Sequence, residues 1–514
     1  MKRIGIDVGG TNTDAVLLDG ARVVHAVKAP TTADVTGGIV AALGRLAEHP
    51  GIRGRIDAIV IGTTHFINAV VQRKSLSRVA AIRIGMPAAA SLPPFCDWPH
   101  DLADLVRAEV YMLEGGHEVD GREIMPFDEA AMRAAAREIG AKGITAVGVS
   151  SIFSPLDASH EERAGEILAD ECPGAAVTLS HRLGRIGLLE RENAALLNAA
   201  LADLARDTIA GFRAAIAASG LVAPLYITQN DGTVMSADVA VSLPVMSFAS
   251  GATNSMRGAA FLSGIADAMV VDVGGTSTDI GQLRRGFPRE ANSVVEIGEV
   301  RTLFRMPDLF SLGLGGGSII RTAGVPSAPT VGPDSVGYRL IDEALVFGGH
   351  TPTTTDAAVA AGIAQIGTHP SDLDPALARA VLDRARETIE DAVDRMKTEA
   401  GGVTLIAVGG GAFLVPDHLA GVSEVIRVPH GDCANAVGAA TAQISGETDQ
   451  VYRDLPRAEA IAAAESQARD RATAAGANPA TITTIEIEDM PLAYLPGNAL
   501  RVRVRVAGAM AGAS

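Results

Sequence analysis

The sequence predicts an α/β protein of two lobes with its ligand in the cleft between them, and three observations carry that expectation. The octapeptide DVGGTNTD at Asp7 to Asp14 returns as DVGGTSTD at Asp272 to Asp279, identical at seven of eight positions across an offset of 265 residues. Each copy follows an apolar run, Arg3 to Ile6 and Ala268 to Val271, so two buried strands each end in the same acidic, glycine-rich turn. Strand-like runs alternate with helical periodicity through both halves.

In chain order, strand signals lie at Ile4 to Leu18, Ala58 to Ile61, Val79 to Ile84 and Ile144 to Ser150, and helical periodicity at Val35 to Glu48 and Asp128 to Ile139. Ser154, Pro155 and Leu156 supply an N-cap with proline at the first helical position, opening a helix that runs to Ala169. A longer helix from Leu188 ends at Gly220 and bridges the halves. The second half repeats the logic with strands at Leu225 to Thr228, Met269 to Asp272 and Leu405 to Ala412, and a helix over Pro375 to Ala400. From Asp449 the tail holds one charged helix, then TITTIEIED and LRVRVRVAG, whose period-two alternation marks two antiparallel strands.

The repeated turn reads as a phosphate site. Gly9, Gly10, Gly274 and Gly275 let backbone N–H groups approach an anion closely. Thr11, Thr13, Thr276 and Thr278 add hydroxyls, and Asn12 and Ser277 complete the turns. Asp7 and Asp272 would repel a phosphate unless a divalent cation sat between them, so the economical reading is two facing turns holding one ATP with Mg2+. A single copy would serve equally well as a tight hairpin; a structural turn has no need of the same hydroxyls and carboxylates twice. Asp14 and Asp279 divide evenly between the cleft and turn capping. His65 is a candidate to polarise a substrate carbonyl, against the commoner role of a hydrogen-bonded core histidine, and Asn68, Asn254 and Arg257 are candidates to face the substrate. Arg257 reads equally as a solvated helix residue, and Asp356 as a helix N-cap.

Composition narrows the partners. A net charge of -17 with 43 Lys+Arg among 514 residues leaves no polybasic surface for nucleic acid or an anionic membrane, so a small-molecule substrate or a protein partner is expected. The chain enters its first strand at once rather than through the apolar region of a signal peptide, and Ile144 to Phe153 is too short to span a bilayer; both favour the cytoplasm. Cys96, Cys172 and Cys433 form no CxxC pair and are expected as buried free thiols. GxxxxGK[ST] and HExxH are absent, and Ser311 to Ser318 misses the spacing of GxGxxG.

With a third glycine turn, VGGGAF at Val408 to Phe413, the duplicated turn resembles the ATPase domain shared by actin, Hsp70 and the sugar and acetate kinases. That resemblance implies a duplicated ribonuclease H-like core in which two turns bracket the phosphates and Gly409, Gly410 and Gly411 contact the adenosine. The Thr-Asp closing each turn, with IGTTHFIN at Ile61, SGATNSMRGA at Ser250, LGLGGGSI at Leu312, VGPDSVG at Val331, PTTTDAA at Pro352 and CANAVGAA at Cys433, is similar to the hydantoinase A/oxoprolinase family. The chain departs from that family in having Ala252-Thr253 where Pro-Ala is common and in lacking a Pro-Gly-Pro segment after VGP, which resembles a compact branch. The resemblance implies an N-terminal ATPase lobe over 1–180, a second lobe over 181–448 and a small α+β extension over 449–514. It implies an ATP-dependent hydrolase that phosphorylates the carbonyl of a cyclic amide, with Asp7, Asp272 and His65 catalytic and both aspartates on the metal. The alternatives are a carboxylase subunit acting on a ketone or bicarbonate, a small-molecule kinase, and a non-enzymatic nucleotide switch. With no second catalytic constellation in the chain, a homo-oligomer or a companion subunit is expected, the latter related by resemblance to thiohydantoin desulfurase-like proteins.

Overall fold

The computed structural model describes every residue except 10–11, 31–34, 53, 184–185, 292–293, 304, 323–328, 494–496 and 512–514. Among the described residues, three principal sheets of nine, six and four strands carry the architecture. The repeat in sequence is also a repeat in hydrogen bonding. The strand Lys2–Val8 pairs antiparallel with Asn12–Asp19 and parallel with Ala58–Thr63, and Ala268–Val273 pairs antiparallel with Thr278–Arg284 and parallel with Val403–Val408. In both hairpins the register sets aspartate opposite aspartate, Asp7 against Asp14 and Asp272 against Asp279. The apolar runs leading into the turns are buried, Ile4 and Ile6 in one sheet, Met269, Val271 and Val273 in the other.

Two helices join the repeats. Ser250–Ser263 precedes the second hairpin and Ala434–Thr441 follows the strand beside it. They cross in backbone contact, because a methyl group at Gly258 would overlap the Ala434 carbonyl and one at Gly438 would overlap that of Asn254. Gly5 plays the same part beneath, where the Ala434–Thr441 helix lies directly on the first strand.

Between the first repeat and the strand Leu225–Thr228 sits a four-stranded parallel sheet, ordered Arg107–Glu114, Val79–Met86, Ala146–Ser151, Ala176–Leu179. Its third helix is Ser159–Glu171, four residues later than the Ser154 cap implies. Asp157 accepts from the Ser159 N–H and Oγ, which places the turn after Pro155 rather than before it, and Ser154 is buried near the Ser180 hydroxyl. The long bridging helix is two, Leu188–Ala200 and Ala202–Ala218, broken at Leu201. The first is buried from Arg191 to Ala200. There Asn198 ties its end to Thr178 Oγ1 at 2.9 Å and the Ser242 carbonyl at 2.8 Å, so the chain turns to follow a different surface.

The helix Arg457–Ala474 buries Ala460, Ala464, Ala468 and Ala472, a stripe at four-residue spacing that lets it lie close on Val502, Val504 and Val506. The strands Thr483–Pro491 and Leu500–Gly508 pair antiparallel as their alternation implies. Leu500–Gly508 also pairs with Gln443–Tyr452, which pairs with Thr233–Ser236, so the C-terminal strands extend the first hairpin's own sheet. No helix among the described residues is long and apolar enough to cross a membrane.

Candidate active site

Both hairpin turns face one cavity of about 760 Å³. The turns close alike, with Gly9 N–H donating to Asn12 O at 3.1 Å and Gly274 N–H to Ser277 O at 2.9 Å. The second is held from behind by the glycine run after Leu312: Gly316 N–H donates to Gly274 O at 3.0 Å and Gly317 N–H to Gly275 O at 2.7 Å. That run, which fits no dinucleotide motif, is glycine because a side chain at 315 would strike the Gly275 backbone. Gly9, Asn12, Gly274, Gly275, Thr276, Ser277, Gly409 and Gly410 all line the cavity. Gly10 and Thr11 lie outside the described residues.

The carboxylates converge as well. Asp7, Asp14, Asp272 and Asp279 all line this cavity. Burial pushes Asp7 up to about 7, against the Nδ2 of Asn435 donating to its Oδ2 at 3.2 Å, and burial pushes Asp272 up to about 7 with help from the nearby Asp279 charge. Burial likewise raises Asp14 and Asp279. Lys28 donates to both Asp14 oxygens at 3.0 and 2.9 Å and to the Asp432 carbonyl at 2.7 Å. Space beside each central aspartate is kept by a glycine on the parallel neighbour: a side chain at Gly62 would crowd Asp7 and Asn254, and one at Gly409 would strike Asp272.

Other expected residues are placed elsewhere. Asn68 lines the cavity with Thr64 and Ile67, whereas His65 is not among the lining residues; its ring meets Phe66 edge-on and its N–H donates to Thr63 Oγ1 at 3.2 Å. Asn254 is fully buried behind Asp7, with Nδ2 donating to Thr228 Oγ1 at 3.1 Å and Oδ1 without a partner. Arg257 is neither in the cavity nor solvated. It stacks 3.9 Å above Phe287 and donates to Gln443 Oε1 at 3.2 Å, and burial lowers it to about 10. Thr13 and Thr278 are buried, Thr278 Oγ1 donating to Leu314 O at 2.6 Å, so the second threonine of each turn faces away from the cavity. Gly411 N–H donates to Val273 O at 2.7 Å, pinning the third turn to the second hairpin. Asp356 is a capping-box residue on Thr353. Cys172 and Cys433 are buried free thiols; Cys96 is exposed.

Lys28, Asn435 and Asp432 escaped the sequence reading. Lys28 stands directly opposite Asp14 on the returning strand Arg22–Pro30, a cross-strand acid–base pair detectable once that register is drawn. Asn435 lies inside CANAVGAA, at the start of the crossing helix.

The profile described as Hydantoinase/oxoprolinase N-terminal region matches residues 3–172, and that described as Hydantoinase/oxoprolinase matches residues 191–371. The acetophenone carboxylase gamma subunit of Aromatoleum aromaticum is 29% identical over 398 residues, covering 70% of this chain and 53% of that protein. The caprolactamase subunit alpha of Pseudomonas jessenii is 28% identical over 386 residues, covering 70% and 54%. The chain thus spans about half the length of the curated relatives it matches. The solved structure of ATP-dependent caprolactamase from Pseudomonas jessenii superposes with a TM-score of 0.78 at 23% identity, over 98% of this chain and 87% of that one. Nucleotide-free acetone carboxylase superposes with a TM-score of 0.69 at 17% identity, over 100% and 89%. These likenesses show the fold, an actin-like ATPase fold with mixed sheets. With two matched segments that together span more than half of its length, the chain belongs to the hydantoinase/oxoprolinase family.

Proposed function

We propose that this chain binds Mg-ATP between its two hairpin turns and uses it to phosphorylate the carbonyl oxygen of a cyclic amide, so that water can open the ring. The observation that carries the reading is the pair of opposed turns facing one cavity, with Asp7 buried and Asp272 half-buried on its lining. Asp7, Asp14, Asp272 and Asp279 on one cavity lining suit a divalent cation held together with phosphate oxygens, since desolvation works against the charges of Asp7 and Asp272. Mg2+, when bound, would supply the positive charge that lets phosphates and carboxylates share the site. The backbone of Gly9, Gly274 and Gly275 would hold the phosphates, Thr276 and Ser277 would add hydroxyls, and Gly409 and Gly410 would accept the adenosine side against bare backbone. Lys28 fixes Asp14 at the rim. The chain's contribution on this reading is positioning and charge neutralisation.

ATP-dependent caprolactamase is the relative nearest in chemistry to this reading. A second reading, an ATP-dependent carboxylase subunit, is favoured by the likeness to the acetophenone carboxylase gamma subunit. ADP release screened against hydantoins, 5-oxoproline, lactams and ketones separates them: cyclic amides that release ADP with a ring-opened product support the first, and ketones that require bicarbonate support the second. Because the relatives are named as subunits and this chain spans only part of them, we propose that efficient turnover needs a companion subunit. Nothing in those relatives supports a thiohydantoin desulfurase-like companion.

Mg-ADP at 100 times its Kd is expected to stabilise the fold by about 2.7 kcal/mol, seen as a thermal shift. No shift across the millimolar range would remove the nucleotide from this cleft. The raised aspartates add a pH signature. A carboxyl raised above its usual value contributes stability that is full below about pH 4 and lost as pH rises through 7. The apo protein should therefore lose stability from pH 5 to 8, while Mg-nucleotide affinity rises at least tenfold, about 1.4 kcal/mol, between pH 6 and 8 as protons leave both groups. Calorimetric titration at three pH values checks the sign.

A further inference from the structure

Beside the cleft lies a second cavity, of about 570 Å³, whose lining includes Glu162, His181, Arg182 and Arg305. The two cavities share walls: Met246 and Arg305 face this one, while Phe248 and Met306, a step along the same segments, face the cleft.

One ring nitrogen of His181 is already committed. Its Nδ1 lies 2.8 Å from Oε2 of Glu161, a fully buried carboxylate that also accepts from Ser151 N–H at 2.8 Å, His181 N–H at 3.0 Å and Ser180 Oγ at 2.5 Å. Burial raises Glu161, but the bonds from His181 and Ser180 and the charge of Arg191 outweigh it and hold the group below the usual range. Glu161 is therefore an anion that accepts from Nδ1, and Nε2 makes no hydrogen bond to a described residue. Arg305 and Arg501 are engaged by Glu290 and Asp449. Arg182 and Glu162 are exposed, opposite in sign, and neither forms an ion pair with a described residue.

Among the described lining residues the cavity thus offers two cations without an ion pair, Arg182 and Arg471, one such anion, Glu162, and the unbonded Nε2 of His181. Such a set complements a molecule that carries a carboxylate and an ammonium group together. We propose that this cavity binds a small zwitterionic amino acid, its carboxylate on Arg182 and its ammonium group on Glu162, with the His181 ring as a further polar contact. Opening a lactam yields such a molecule, the carboxylate from the carbonyl carbon and the amine from the ring nitrogen. Its identity as that product rests on the function proposed above; the binding itself does not.

The test is calorimetric titration of the full chain with γ-aminobutyrate, δ-aminovalerate and ε-aminocaproate, with butyrate, valerate, caproate and the matching alkylamines as single-charge controls. At least one zwitterion should saturate one site per chain and bind at least tenfold tighter than either of its controls. His181→Gln, Arg182→Gln and Glu162→Gln should each weaken that binding about tenfold with the Mg-ADP thermal shift intact, which reports a folded cleft. Failure of all three zwitterions to saturate, controls that bind equally, or folded variants that bind like the parent would overturn the site. Cyclic-amide turnover without zwitterion binding would overturn this inference alone. Zwitterion binding by a chain that shows no Mg-ADP thermal shift would uphold the site and overturn the reading of the cleft.

Discussion

Asp7→Asn and Asp272→Asn are each expected to fold at least as stably as the parent while losing turnover by on the order of 100-fold or more. The two halves of that expectation come from one fact. Desolvation raises both carboxylates to about 7, Asp7 buried and Asp272 half-buried, so the neutral amide relieves a cost the apo protein carries above neutrality. The same charge is what the cleft has to offer a metal-phosphate unit, and asparagine cannot supply it. Thermal denaturation should show an unchanged or higher midpoint, and single-turnover ADP formation should show the loss. A folded variant with near-normal ATPase activity would make that aspartate structural and move the site elsewhere.

Gly258→Ala and Gly438→Ala are expected to cost on the order of 3 kcal/mol or more each, among the largest effects of any single methyl group in the chain. At both positions the added carbon meets a backbone carbonyl of the opposing helix, which cannot swing aside as a side chain would. Gly438→Ala presses on Asn254, which stands behind Asp7, so nucleotide binding should weaken along with the fold. Urea denaturation and the Mg-ADP thermal shift read the two effects separately. Stability within about 0.5 kcal/mol of the parent would mean that the helices separate freely.

What was legible in the sequence was local. A strand, a glycine turn and a returning strand lie within eighteen residues, so the DVGGT repeat announces its hairpins, and the equal register of Asp7–Asp14 and Asp272–Asp279 follows from equal length. The alternation of LRVRVRVAG gives its strand for the same reason. Five things were not legible. The helix starting at Ser159 is set by an Asx bond from Asp157 that competes with a good Ser-Pro cap, and the break at Leu201 is imposed by Asn198 reaching two other segments. Arg257 sits on a helix whose exposed side cannot be known until Phe287 covers it. Strands such as Ala176–Leu179, Thr233–Ser236 and Gln443–Tyr452 gain their identity from distant partners. Asn435 reaches Asp7 from 428 residues away.

The nine-stranded sheet has a consequence for synthesis. It joins segments far apart in the chain, because Thr233–Ser236 waits for Gln443–Tyr452 and that strand in turn waits for Leu500–Gly508. At a translation rate of roughly 5–20 residues per second, some 10 to 40 s separate the emergence of the first of these strands from that of its partner. Throughout that interval Thr233–Ser236 presents an unpaired edge, apolar at Val234 and Met235, to other nascent chains on the same polysome. Cells making this protein quickly should find it limited by holdase chaperones rather than by the stability of the finished fold.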